Sequence, residues 1–202
     1  MRMKFLVLQL FLISALMTAP VAVRASVTDE VKATVDEVVK ILSDKELKTP
    51  QNEAKRRQAL KVAIGRIFDF EELAKRSLAA HWNGRSPAER KEFVQLFTTL
   101  LEKSYSGKIE SYNQEKIIYL KESVDKDYAE VRSKVVTPKR DEYTLDYRLM
   151  NKGGTWLVYD VVVEGVSLVS NYRSQFSKII TGQGYGELVR KLRTKSEEIK
   201  AP

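Results

Sequence analysis

After Asn113 the hydrophobic period of this 202-residue chain changes from 3.6 to 2. That switch divides the chain into a helical half and a strand half, and it restricts the fold to the α+β class. Before it, apolar residues recur at helical spacing. Thr28 is placed to cap a first helix through Val31, Val35, Val38, Val39 and Leu42. Thr49-Pro50 reads as an N-cap with proline at the first helical position. The helix after it carries Leu60, Ala63, Ile64, Ile67 and Phe68 on one face. Asp69 caps a short helix through Leu78, and Asn83-Gly84 stops it. Ser86-Pro87-Ala88-Glu89 is a capping box with proline in place, opening the longest helix, to about Tyr112.

Beyond the switch, Lys116 to Leu120 reads as a strand. Ala129, Val131, Ser133 and Val135 alternate with charged residues, as do Tyr143, Leu145, Tyr147 and Leu149 with polar ones, the pattern of amphipathic antiparallel strands. Asn151-Lys152-Gly153-Gly154 is a hairpin turn. Thr155 to Glu164 is apolar on both sides except at Asp160, so a central strand covered twice is expected. Two helices, near Asn171 to Ile180 and Tyr185 to Ile199, finish the chain. The expected architecture is a curved antiparallel sheet of about four strands wrapped by about six helices.

The N-terminus reads as an export signal. Arg2 and Lys4 precede an apolar run from Phe5 to Met17, and Val23-Arg24-Ala25 offers small residues at −3 and −1. Cleavage is expected before Ser26, giving residues 1–25 as signal peptide and 26–202 as one domain. The run is too short to span a bilayer, which needs about 20 apolar residues. With no cysteine in the chain, lipoprotein acylation, disulfides, thiol catalysis and cysteine-ligated metals are excluded. Removing Arg2, Lys4 and Arg24 from the 35 basic residues leaves 32 against 27 acidic ones, a formal charge of +5. Acids are mixed among bases throughout, which argues against a nucleic-acid partner. An anionic lipid surface or an acidic partner suits this charge.

Catalytic constellations are scarce. His81 is the only histidine, so neither a zinc site nor a Ser-His-Asp triad is readily assembled. Gly182-Gln183-Gly184-Tyr185-Gly186 does not fit the dinucleotide fingerprint. Asp160 has two readings: a buried acid satisfied by backbone amides or an arginine, or a general base. Aromatic residues should converge between sheet and helices: Tyr143, Tyr147, Trp156, Tyr159, Tyr172, Phe93, Phe97 and Phe176. Periodicity alone does not separate a closed core from an apolar cavity.

The segment from Trp156 to Phe176 bears on that choice. Its W-x-V-x-D-V strand, Glu164-Gly165-Val166-Ser167-Leu168-Val169 and Asn171-Tyr172-Arg173-Ser174-Gln175-Phe176 resemble the signature of the MlaC family, also called toluene-tolerance auxiliary proteins. Phe68-Asp69-Phe70, His81-Trp82, Glu89 to Phe93 and Leu100 to Tyr105 extend the resemblance over about residues 28–198. It implies a cone-shaped, NTF2-like or cystatin-like α+β fold around an interior lipid cavity. It also implies a monomeric periplasmic phospholipid carrier, without cofactor or catalysis. Such a carrier works between an outer-membrane lipoprotein–porin complex and the substrate-receiving subunit of an inner-membrane ABC transporter, and so maintains outer-membrane asymmetry. Within that frame, strand parity nominates Tyr147, Leu149, Tyr159, Val161, Val163, Val166, Val169, Tyr172 and Phe176 as lipid-lining residues. Phe93, Leu96, Phe97 and Leu100 are placed opposite. A slip of one would substitute Trp156, Val158 and Val162 on the last strand. Arg173 is either headgroup-proximal, at the mouth, or a surface arginine. The competing readings are an enzyme using Asp160 as base on an apolar substrate, and a periplasmic chaperone with an apolar groove.

Overall fold

The computed structural model describes residues 25–198; the expected signal peptide, apart from Ala25, lies outside them. The helices are α1 (Val27–Ser43), α2 (Glu53–Gly65), α3 (Phe70–Leu78), α4 (Pro87–Glu110), α5 (Leu168–Gln183) and α6 (Tyr185–Glu198). The strands are β1 (Lys116–Asp125), β2 (Tyr128–Val136), β3 (Glu142–Lys152), β4 (Thr155–Val163) and β5 (Val166–Ser167). They form one antiparallel sheet in the order β1-β2-β3-β4-β5. The α+β class is as read from the sequence. The fifth strand is a two-residue piece after the Glu164-Gly165 turn. Both turn residues have positive φ, 49° and 75°, the geometry of a two-residue hairpin loop.

The helix starts follow local chemistry. Ser86 accepts from the Glu89 amide and Glu89 accepts from the Ser86 amide at 2.7 Å, closing the expected capping box. That bond to the Ser86 backbone, first among its partners, holds the Glu89 carboxyl below the usual range. Asp69 accepts from the Glu72 amide at 2.9 Å, capping α3 as expected. The cap of α1 lies two residues before the expected one, at Ser26. Ser26 and Asp29 form a second capping box, and the Thr28 amide and hydroxyl instead donate to Glu122 on β1, at 2.7 and 2.6 Å.

Two apolar clusters replace the single convergence of aromatics. The first joins α3, α4, α5 and α6 through Leu73, Leu78, Phe93, Phe97, Phe176 and Leu188. The second lies between α1 and one face of the sheet, through Val27, Val31, Val131, Tyr147, Leu149 and Val158. Phe68 packs against both and stands at the seam. Its segment runs beside β4: Val158 donates to the Ile67 carbonyl at 2.7 Å, and Asp69 donates to the Val158 carbonyl at 2.9 Å. β4 therefore lies near the short-strand end of the sheet rather than at its centre. Its two apolar faces have separate covers: α1's cluster on one side, α3 and α5 on the other.

Candidate functional site

The sheet face under α1 has a clear gradient. Along β3, Leu149 is fully buried, Tyr147 is 8% exposed, Leu145 is half-buried and Tyr143 is 37% exposed. Along β4 and its hairpin partner, Val158 is fully buried, Val161 is half-buried, Val163 is 42% exposed and Val166 is 60% exposed. Cross-strand pairing puts these residues on one face: Leu149 with Val158, Tyr147 with Val161, Leu145 with Val163, and Val163 with Val166. An apolar strip thus runs from a packed deep end beneath Val27 and Val31 to an open end at Tyr143, Val163 and Val166. Soluble proteins rarely leave contiguous apolar surface open without a use for it.

Neither parity expected for β4 holds along its whole length. A bulge between Arg148 and Leu149 leaves Tyr159 without a partner on β3. The face under α1 therefore takes Trp156 and Val158 before the bulge, and Val161 and Val163 after it. Tyr159 turns to the opposite face, where its ring meets Tyr128 edge-on at 6.2 Å and carries the Arg76 guanidinium at 4.0 Å. Val162 is buried on that opposite face, paired with Ser167. One extra residue produces this switch, because side chains alternate with period 2.

The helical nominees do not stand across from the strip. Phe93, Phe97, Tyr172 and Phe176 pack ring on ring, with centroids 4.9 to 5.7 Å apart, inside the α3–α6 cluster. Val169 and Leu100 belong to the same cluster, and Leu96 packs against it. The sequence shows an apolar helix face but not its partner, and here the partners are other helices. On the outside of this cluster, Leu100, Tyr172, Phe176, Leu188 and Leu192 floor an open groove of about 470 Å³, with Lys191 and Lys195 on its rim.

Asp160 takes the role of a satisfied buried acid. It is 2% exposed. One oxygen accepts from the Val169 amide at 3.0 Å; the other accepts from the Ser167 hydroxyl at 2.6 Å and Arg148 Nη1 at 3.2 Å. Ser167 in turn caps α5 through the Ser170 amide. Asp160 thereby fixes the first turn of α5 to β4, where a carboxylate also complements the helix dipole. Arg173 is exposed on α5 and donates from Nε to the Arg76 carbonyl at 3.0 Å, tying α5 to α3 on the sheet face opposite the strip. His81 is half-buried, with Nε2 3.4 Å from Ser177 Oγ. Among the described residues no group of three or more His, Asp or Glu is arranged to hold a metal ion. No helix among them is long and apolar enough to cross a membrane.

Sequence reasoning missed three features of the strip. Val27 and Val31 were not assigned to the sheet. Tyr119 on β1, whose hydroxyl is buried without a hydrogen-bond partner among the described residues, was not singled out. The α1–α2 unit was not seen as a cover. α2 buries only Leu60 and Ala63, and ion pairs tie it to α4: Arg56 and Arg57 to Glu110, and Lys61 to Glu102. The basic composition of α2 (Lys55, Arg56, Arg57, Lys61) was the available signal.

Known proteins are similar to this chain. The chain is 27% identical over 126 residues to the intermembrane phospholipid transport system binding protein MlaC of Haemophilus influenzae, and 26% identical over 128 residues to toluene tolerance protein ttg2D of Pseudomonas putida. It spans 59% and 60% of the length of these two relatives, in matches covering 60% and 62% of its own. A phospholipid-binding protein from Ralstonia solanacearum, solved in complex with a phospholipid, superposes with a TM-score of 0.78 at 26% identity. That match covers 87% of this chain and 99% of the other. The family model described as MlaC protein matches residues 32–194, nearly the whole of the two-cluster domain, and the chain belongs to the MlaC family.

Proposed function

We propose that this protein is a phospholipid carrier that holds acyl chains against the sheet face under α1. The observation that carries the reading is the Ralstonia fold match, a phospholipid complex related along its full length to this chain. The apolar strip, buried deep and open at Tyr143, Val163 and Val166, suits the same task.

The energetics require such a face. Burying a methylene group is worth about 0.8 kcal/mol, so two long acyl chains forfeit roughly 20 kcal/mol in water. A carrier shields that surface. Because a bilayer and an apolar pocket are both dry, exchange between them is close to isoenergetic, and cargo is released as readily as it is loaded. Chains entering at the open end displace α1 from the strip. The polar ties of α2 to α4 hold this cover without welding it to the helical cluster.

Family membership and the export signal support the following setting. The carrier works in the periplasm after cleavage before Ser26. It moves lipid between an outer-membrane lipoprotein–porin complex and the substrate-receiving subunit of an inner-membrane ABC transporter, as a monomer that maintains outer-membrane lipid asymmetry. The Ser26 cap supports that boundary, since the residue the cleavage would leave first is the N-cap of α1. A binding role suits Asp160 better than that of a base: both its oxygens are committed to holding β4, β5 and α5 together. Mass spectrometry of organic extracts from protein purified out of the periplasm tests the reading. Phospholipid near one molecule per chain supports it; protein free of lipid, or carrying peptide instead, refutes it.

A further inference from the structure

Three tyrosines stand on the strip face: Tyr119 on β1, and Tyr143 and Tyr147 on β3. Tyr119 pairs with Ser133, between the Val135–Tyr143 and Val131–Tyr147 pairs of the next ladder. Along the strip it therefore lies between the open end at Tyr143 and the packed end at Tyr147. Strands are spaced about 4.8 Å apart, so a ring on β1 reaches toward β3 across β2. The phenols are near enough to interact: burial first, then Tyr119 and Tyr143, raise the Tyr147 hydroxyl above its ordinary pKa.

The Tyr119 hydroxyl is the anomaly. It is buried and has no hydrogen-bond partner among the described residues. Buried polar groups are almost always paired, and leaving one unpaired is costly. Desolvation, with a smaller contribution from Asp36, pushes its pKa up to about 12, so at neutral pH it is a donor in search of an acceptor. None of the polar groups nearby, Asp36, Ser133 and the Tyr147 phenol included, accepts from it, and a hydrocarbon chain offers no acceptor.

The geometry points to Tyr119 as a specificity-determining residue that donates to an ester carbonyl of a bound diacyl lipid. This inference rests on the carrier reading and deepens it. A glycerophospholipid carries its ester carbonyls at the junction of chains and headgroup, the part that would sit between the dry end and the mouth. Ether-linked lipids keep the phosphate, headgroup and chains but lack those carbonyls. They separate this contact from one to phosphate.

The test uses delipidated full domain with two probes of identical chains and headgroup, a diacyl phosphatidylglycerol and its dialkyl ether analogue. Wild-type protein is expected to favour the ester lipid by about 5- to 30-fold, the ratio corresponding to one buried donor left unpaired. Tyr119→Phe is expected to bring that ratio close to one while still binding both lipids. Tyr185→Phe, in the helical cluster away from the strip, should preserve it. Equal binding of the two lipids by wild type overturns the inference and leaves the carrier reading standing, as does a Tyr119→Phe variant that keeps the preference. Failure of wild type to bind either lipid removes the carrier reading, and the inference with it.

Discussion

Asp160→Ala is the substitution whose cost the structure defines most fully. The carboxylate is 2% exposed and accepts three hydrogen bonds, from the Val169 amide, the Ser167 hydroxyl and Arg148. Truncation strands the Val169 amide in a buried position, where an unpaired donor costs about 1–3 kcal/mol. The Ser167 bond adds about 1 kcal/mol. Arg148 is 40% exposed and retains Glu130 at 3.6 Å, so water and that neighbour absorb much of its loss. The total comes to about 2–4 kcal/mol, overlapping the range for breaking a buried charged contact. Urea unfolding followed by circular dichroism reads it as a lowered midpoint with an unchanged slope. Lipid content per folded protein should stay at the wild-type level, because Asp160 faces away from the strip. A destabilisation below about 1 kcal/mol contradicts the role assigned to this carboxylate. Loss of lipid from a protein of normal stability does so too.

Four further outcomes are expected. Val163→Asp, at a half-open position, should change stability by under about 1 kcal/mol yet empty the protein of phospholipid, whereas Phe97→Ala, at 1% exposure, should cost about 3–5 kcal/mol; lipid extraction and urea titration distinguish the two. Glu110→Ala removes the shared partner of Arg56 and Arg57, and hydrogen exchange should quicken across α1 and α2 while α5 and α6 keep wild-type protection. Ala79 has φ 48° and ψ −122°, a conformation costly for any residue but glycine, so Ala79→Gly should stabilise by about 0.5–1 kcal/mol, seen as a higher melting temperature. Burial pushes the Tyr119 and Tyr185 phenols up to about 12 against 10.0 unfolded, so the unfolded chain loses these protons first; stability should hold below pH 10 and decline as pH rises toward 12, less steeply in Tyr119→Phe.

Much of the fold was written in short-range chemistry. The Ser86–Glu89 capping box, the Asp69 cap and the period-2 strands are local signals, and each appears where the residues placed it. Ser26-x-x-Asp29 was equally readable as a capping box, yet Thr28 drew the assignment because any hydroxyl can cap. The site was less legible for two physical reasons. A bulge adds a residue without a composition mark, so the alternation along Trp156 to Val163 gave no warning that Tyr159 would leave the face. An amphipathic helix also reveals only that one side is buried. Phe93 and Phe97 look the same whether they face a sheet, a lipid or Phe176. The deep end of the strip needed long-range contact between α1 and β2, which no pattern in one sequence encodes.

The two tryptophans report directly on where the chains lie. Trp156 packs against the strip cluster, while Trp82 is buried in the helical cluster. Phospholipid with brominated acyl chains, loaded into Trp82→Phe and Trp156→Phe variants, makes each remaining indole a contact sensor. Chains held under α1 should quench Trp156 strongly and leave Trp82 bright. Quenching of Trp82 with Trp156 unaffected would place the chains among α3 to α6 and contradict the account.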